Sequence, residues 1–260
     1  MTAGPQRWRG TVAGMSAQRW RPQSPDGPSI LLLHGAMDRS DSFARTARRL
    51  GNRDVLAVDR RGYAGSRLLG CADIAGHASD VLNIVDELRG EWVVVGHSLG
   101  GTIALSAATA GHPSVVAVGT YESPAPWLDG SIARVGGGSL KVADERGDAA
   151  AAEYFFTMMV GDEAWARLGE SFREQRRADG PALVAELRDL ASGRVIVDPG
   201  EVGVPVTVGR GSSVDDLATQ AELLVNALSC ATLVEIPGAP HGVHLTQPDA
   251  FGVFVGKVGE

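Results

Sequence analysis

The sequence predicts an α/β protein in which a mostly parallel β-sheet is covered by helices on both faces. Short apolar runs, each long enough for one buried strand, alternate with longer segments of helical pattern. This alternation is interrupted once, by a helix-rich stretch between two of the strands. The chain has 260 residues, of which 44% are hydrophobic, so it is large enough to bury one full core.

The strands are predicted from continuous apolar runs rich in β-branched residues, the pattern of a strand buried on both faces. Six such runs lie at residues 29–33, 54–58, 91–95, 115–121, 204–208 and 232–236. A hairpin at residues 8–12 and 17–20 is expected at the sheet edge. Helices are predicted between the strands at residues 41–50, 72–88, 99–110, 216–228 and 248–258.

The interruption lies between Ser123 and Gly200, where no strand pattern occurs. Helical patterns are found there at residues 140–160, 163–177 and 181–191, and the glycines at positions 136–138 predict a flexible joint before them. We therefore expect an α/β core formed by residues 1–122 and 201–260. Residues 123–200 are expected to form a helical cap.

Composition limits the partners and the location of the protein. The formal net charge of −7 disfavours nucleic acid and anionic membranes, which attract basic surfaces. Two cysteines, Cys71 and Cys230, are too few for a disulfide framework. The first ten residues lack the apolar stretch of a secretory signal, and no run reaches the roughly 18 apolar residues of a membrane span. We expect a cytoplasmic protein.

The sharpest functional signal is VVVGHSLGG at residues 93–101. A predicted strand runs into a turn in which Ser98 is flanked by Gly96 and Gly100, and a predicted helix follows. The glycines allow the chain to fold back tightly and to hold the serine oxygen clear of the backbone. The helix amino end adds positive potential where an oxyanion would develop. Ser98 is therefore the candidate nucleophile.

A serine hydroxyl is a weak nucleophile and needs a general base. His241, in IPGAPHG, follows the last predicted strand, where a loop would return its imidazole to the carboxyl edge of the sheet. His244 is the weaker alternative, because its neighbours on both sides are apolar. His241 is therefore the candidate base.

Stabilising an oxyanion requires backbone N–H donors. Leu99, directly after the nucleophile, should supply one, and Ala36, in the loop after the first long strand, should supply the other. Gly35 allows that loop to approach closely, and we interpret His34 as structural. The histidines lack the paired-ligand spacing of a zinc site, so no metal is expected.

Four motifs occur along the chain in the order LLLHG, DRRGYAGS, VVVGHSLGG and IPGAPHG. With them the sequence resembles the α/β-hydrolase superfamily, over residues 30–255 apart from the cap. The resemblance implies a mostly parallel eight-stranded sheet, a cap after the sixth strand, and the chain order nucleophile, acid, histidine.

The position of the catalytic acid departs from the common pattern of that superfamily. The resemblance places it just after the seventh strand, three residues beyond a glycine, but that position here holds Val214. Asp215 follows one residue later. Some relatives, including haloalkane dehalogenases, carry the acid after the sixth strand, where this chain has Glu122. Either carboxylate could orient His241 and stabilise its cation, so Glu122 and Asp215 remain alternatives.

The nucleophile narrows the reaction. Relatives that attack alkyl carbon use aspartate at this turn, so Ser98 implies attack on acyl carbon: hydrolysis of a carboxylic ester, lactone, thioester or carbon–carbon bond. No cofactor is required, and the partner is a small acyl substrate of a monomer or homodimer. An acyltransferase, or a ligand-binding or signalling protein that keeps the pocket, remains an alternative.

Substrate selection is expected in the cap. Trp127, Phe155 and Met159 are candidates for an apolar pocket lining. Aromatic and methionine side chains at helical spacing also pack a cap onto its core, and that alternative stays open. A modest apolar acyl group is the most that these residues indicate.

Overall fold

A single sheet organises the fold. The computed structural model describes residues 5–130, 134–212 and 216–260. Within them, eight strands form one sheet in the order β1-β2-β4-β3-β5-β6-β7-β8. The strands are β1 (Gln6–Val12), β2 (Met15–Arg21), β3 (Ser29–Leu33), β4 (Val55–Val58), β5 (Trp92–His97), β6 (Val115–Tyr121), β7 (Val206–Arg210) and β8 (Ala231–Glu235). β1 pairs antiparallel with β2, and β2 with β4, whereas all other pairs are parallel. The predicted mostly parallel, eight-stranded sheet is confirmed.

Helices connect the strands and cover the sheet. The core helices are α1 (Ala44–Arg49), α2 (Ile74–Leu88), α3 (Leu99–Ala108), α10 (Asp216–Ala227), α11 (Val243–Thr246) and α12 (Pro248–Gly256). The connection from β6 to β7 contains α4 (Pro126–Asp129), α5 (Arg134–Arg146), α6 (Asp148–Val160), α7 (Asp162–Arg167), α8 (Glu170–Arg177) and α9 (Gly180–Leu190). Short 3-10 helices lie at Ser40–Phe43, Ala64–Leu69 and Pro199–Glu201.

Both faces of the sheet are buried at the central strands β3 to β7, which explains their continuous apolar runs, whereas the edge strands β1 and β8 are largely exposed. Leu31 and Leu33 of β3 pack with residues of α2, α3 and α10 on one face. Ile30 and Leu32 of the same strand pack with residues of α1 and α12 on the other. Burying each such side chain stabilises the fold by about 1.5–3 kcal/mol. The sheet is therefore a rigid platform for the loops at its carboxyl edge.

The connection between β6 and β7 is helical, but its joints differ from those predicted. The glycines at positions 136–138 lie inside α5, so the predicted flexible joint there is wrong. At Gly138 the glycine is explained by packing and not by flexibility, because a methyl group there would lie 2.5 Å from the hydroxyl oxygen of Tyr154. The predicted helix 140–160 instead breaks at Gly147, which has a φ of +86°. Leu183 of α9 joins the core cluster around α3.

Two further features are the length of the helices and the state of the cysteines. No helix in the described ranges is both long and apolar enough to cross a bilayer. Both cysteines are free thiols, with Cys71 exposed and Cys230 half-buried.

Candidate active site

Ser98 occupies a strained turn between β5 and α3. Its backbone has φ +52° and ψ −128°, a conformation that residues other than glycine rarely adopt. The turn is tight, because a methyl group at Gly96 would lie 2.0 Å from the carbonyl carbon of Gly100. A methyl group at Gly100 would lie 2.2 Å from the carbonyl oxygen of Leu33 in the neighbouring strand. The fold therefore requires glycine on both sides of the serine.

Replacing Gly100 with alanine should open the contact between α3 and β3. We expect the free energy of unfolding to fall by about 3 kcal/mol, because backbone atoms cannot yield as side chains do. Gly137 on α5 is the matched control, since outside its own helix backbone no atom of the described residues lies within 4 Å of an added methyl group. There, alanine should raise stability by about 0.5–1 kcal/mol through helix propensity. Urea unfolding of both variants measures this, and a Gly100→Ala protein as stable as the wild type would contradict the packing argument.

Glu122 is the carboxylate that lies against His241. It follows β6 directly, its side chain is fully buried, and its Oε2 lies 2.7 Å from His241 Nδ1. Its Oε1 accepts a hydrogen bond of 2.9 Å from the Gly211 N–H, at the end of β7. The carboxylate is thus fixed between two neighbouring strand ends. Asp215, the alternative acid, lies outside the described residues.

Ser98 and His241 belong to the same end of the sheet, but the Ser98 hydroxyl makes no hydrogen bond to His241 among the described residues. His97, next to the serine, connects the two loops: its Nε2 lies 2.7 Å from the His241 carbonyl oxygen. The rings of His97 and His241 lie 4.7 Å apart between centroids. Catalytic hydrogen bonds are often long in the absence of substrate.

The two residues predicted to bind the oxyanion, Ala36 and Leu99, each lie next to a residue of the Ser98 turn or in contact with it. Gly35 packs directly on the serine, because a methyl group there would lie 3.0 Å from the Ser98 Cβ. Ala36 therefore follows a residue in contact with Ser98, and Leu99 begins α3 immediately after it. In the described part of the chain, neither the Ala36 nor the Leu99 N–H donates a hydrogen bond. The Leu99 N–H is one of the first N–H groups of α3, which have no partner within the helix.

His34 is held as a neutral structural residue. Its Nε2 accepts a hydrogen bond of 2.9 Å from the Arg60 backbone N–H, so its proton is on Nδ1. Nδ1 lies 2.7 Å from the Gly35 carbonyl oxygen and donates to it. Burial, and then the charge of Arg60, lower the pKa of His34 to about 4.

A second carboxylate–histidine pair, which was not predicted from the sequence, lies beside the site. His244 Nε2 lies 3.0 Å from Asp38 Oδ2, and its ring lies 4.2 Å from that of His97. Burial opposes ionisation of Asp38, but the hydrogen bond and charge of His244 outweigh it and hold the pKa of this carboxyl well below its usual value. Burial, followed by the charges of His244 and His241, lowers the pKa of His97 well below the usual value. Asp38 and His244 are 206 positions apart in the chain, so no spacing motif could have predicted that they pair.

The candidate pocket residues have different environments. Trp127 and Phe155 are half-buried against the core cluster that also contacts Ala36. The Trp127 indole N–H is buried without a hydrogen-bond partner among the described residues. Met159 is 44% exposed, beside the exposed Met158 and Val160.

In residues 5–130, 134–212 and 216–260, no cluster of three or more His, Cys, Asp or Glu side chains is arranged to hold a metal ion.

Comparison with known proteins adds to this geometry. A family model described as alpha/beta hydrolase family matches residues 30–252. 2-(Acetamidomethylene)succinate hydrolase from Mesorhizobium japonicum is 30% identical over 238 residues, covering 86% of this chain and 84% of the relative. Lipase LipV from Mycobacterium tuberculosis is 32% identical over 124 residues. That match covers 47% of this chain and 46% of the lipase, so it spans less than half of either protein.

Solved structures resemble the whole chain. The enol-lactonase from Burkholderia xenovorans LB400 superposes with a TM-score of 0.71 and 20% identity, over 95% of this chain and 98% of the lactonase. A thermophilic esterase from Thermogutta terrifontis gives a TM-score of 0.70 and 20% identity, over 97% of both chains. At this level of identity, the likeness establishes the fold.

Proposed function

Because this chain belongs to the alpha/beta hydrolase family of enzymes, we propose that it is a serine hydrolase that cleaves an ester-type bond of a small substrate. Ser98 is the nucleophile, His241 the general base and Glu122 the acid. The observation that carries the proposal is the 2.7 Å contact between His241 Nδ1 and the fully buried Glu122 carboxylate. Such a contact places the proton of a neutral His241 on Nδ1 and leaves Nε2 free to accept one.

The reaction follows from these positions. His241 Nε2 takes the hydroxyl proton of Ser98 as the serine oxygen attacks the acyl carbon. The Ala36 and Leu99 N–H groups bind the oxyanion, and Glu122 stabilises the imidazolium that forms. The imidazolium then gives its proton to the departing alcohol or thiol. Water, activated by the same histidine, attacks the acyl-enzyme and releases the acid.

The substrate is proposed to be an ester, lactone or thioester with an apolar acyl part. Trp127 and Phe155 offer apolar surface on the core cluster against which Ala36 also packs. The names of the lipase, esterase and enol-lactonase relatives are consistent with this bond type. We propose that the helices between β6 and β7 act as the cap that covers this surface, within the boundaries 123–200.

Covalent labelling tests the proposal. A fluorophosphonate probe should add one label per chain, located on Ser98 by peptide mass spectrometry, and nitrophenyl esters should be hydrolysed by the unlabelled protein only. Transfer to added alcohols or thiols in excess of hydrolysis would indicate an acyltransferase instead. Neither labelling nor turnover, with melting shifted by ester ligands, would indicate a ligand-binding protein and contradict the proposal.

A further inference from the structure

The direction of the Ala36 N–H is set by the peptide that it shares with Gly35. In a trans peptide, the carbonyl group and the following N–H lie in one plane and point in opposite directions. The structure contains no cis peptide in its described residues. Any group that fixes the Gly35 carbonyl oxygen therefore also fixes where the Ala36 N–H points.

Two buried groups donate to that carbonyl oxygen: His34 Nδ1, at 2.7 Å, and the guanidinium of Arg60, which follows β4 by two residues and also binds His34. Arg60 Nη2 donates to the Gly35 carbonyl oxygen at 3.1 Å, and Arg60 Nε donates to the His34 carbonyl oxygen at 2.8 Å. The Arg60 backbone N–H also donates to His34 Nε2, as described above. The guanidinium is 2% exposed, so these bonds lie in a low-dielectric environment where they are strong.

Arg60 is itself anchored from the connection between β6 and β7. Its Nη1 donates to Glu186 Oε1, on α9, and the Glu186 side chain is fully buried. Tyr63 donates to Glu186 Oε2 at 2.6 Å, and His77 Nε2 lies 2.9 Å from Oε1. Burial opposes ionisation of Glu186, but the charge of Arg60 and the contacts with His77 keep its pKa at about 2. The carboxylate is therefore a permanent counter-charge for Arg60.

We infer that Arg60 is a positioning residue, which aims the Ala36 N–H at the oxyanion through the Gly35 carbonyl, and that Glu186 holds Arg60 in that orientation. This inference rests on the proposed function. It connects the helices between β6 and β7 with the oxyanion loop: a displacement of α9 would move Glu186, then Arg60, and then the peptide that carries the donor. These contacts stabilise the transition state and do not contribute to substrate binding.

Arg60→Met and Arg60→Lys test the inference, with Arg61→Met as the matched control. Arg61 is the neighbouring arginine of the same motif, but among the described residues its side chain binds Asp80 and the Leu69 carbonyl oxygen and not the oxyanion loop. In Arg60→Met, kcat for a nitrophenyl ester should fall about 10- to 100-fold with KM changed by less than about threefold, because only the oxyanion donor is misdirected. The rate of fluorophosphonate labelling should fall in parallel.

Arg60→Lys keeps the buried positive charge but cannot donate to both loop carbonyls and Glu186 in the planar geometry of a guanidinium. It should keep the fold and still show reduced kcat and slower labelling, which makes it decisive if Arg60→Met does not fold. Wild-type kcat and labelling rate in folded Arg60→Lys would overturn the inference. So would an equal loss in Arg61→Met, which would point to general destabilisation. If the wild type itself neither labels nor turns over, the proposed function fails, and the inference fails with it.

Discussion

Ser98→Ala is expected to lower kcat/KM for nitrophenyl ester hydrolysis by about 10⁴- to 10⁶-fold. The variant retains the oxyanion donors and the pocket but has no nucleophile, so only the background attack of water remains. The loss should appear in kcat, since the hydroxyl contributes little to binding the intact ester. Steady-state kinetics with active-site titration of the wild type measures the effect.

The control for this variant is Ser106→Ala, on the same helix α3 but outside the turn. A half-buried surface serine of this kind should change kcat/KM by less than about twofold. Comparable circular dichroism and melting of both variants would show that the fold is intact. Retention of a substantial part of the activity in Ser98→Ala would remove the serine from the mechanism.

Glu122→Gln should lower kcat by about 10³- to 10⁴-fold while leaving the fold unchanged. The amide is nearly the same size as the carboxylate, and its oxygen can still accept the Gly211 N–H. Its NH₂ group must then face His241 Nδ1 as a donor. This forces the imidazole proton onto Nε2, the nitrogen that has to accept the proton of Ser98, and the imidazolium also loses its counter-charge.

Asp215→Asn separates the two acids that the sequence left open. If Glu122 is the acid, this variant should keep kcat within about threefold of the wild type, because no charge in the hydrogen-bonded pair changes. The opposite pattern, with Asp215→Asn inactive and Glu122→Gln active, would reassign the acid. Measuring kcat as a function of pH for both variants shows which of them alters the titration of the catalytic base.

Much of the fold followed from the sequence because local patterns determine it. The burial of β3 on both faces can be predicted from a few neighbouring residues. The tight turn around Ser98 can likewise be predicted from the glycines at positions 96 and 100. The helices between β6 and β7 were recognised as helical, but their breaks were misplaced. Glycines at positions 136–138 resemble a flexible joint in sequence, and the packing of Tyr154 against Gly138 shows why one of them lies inside a helix.

The site was less accessible to sequence reasoning, because its supporting contacts join distant parts of the chain. Asp38 and His244 form a pair across 206 positions, and Arg60 and Glu186 across 126. No local pattern marks such partners, although Arg60 lies within the DRRGYAGS motif. The acid remained open for the same reason: both Glu122 and Asp215 follow strands whose carboxyl ends lie side by side in the sheet.

Because Glu122 lies at the end of β6, the loop after β6 supplies the carboxylate and the loop after β7 supplies a backbone donor to it. In the described part of the loop after β7, the Gly211 N–H is the group that donates to the carboxylate, and a main-chain donor is insensitive to the identity of nearby side chains. In the proposed mechanism, residues beyond Gly211 are thereby released from chemical constraint. Sequence drift, or engineered insertions, should be accommodated more readily there than in the short Tyr121–Ser123 stretch, where one side chain carries the charge.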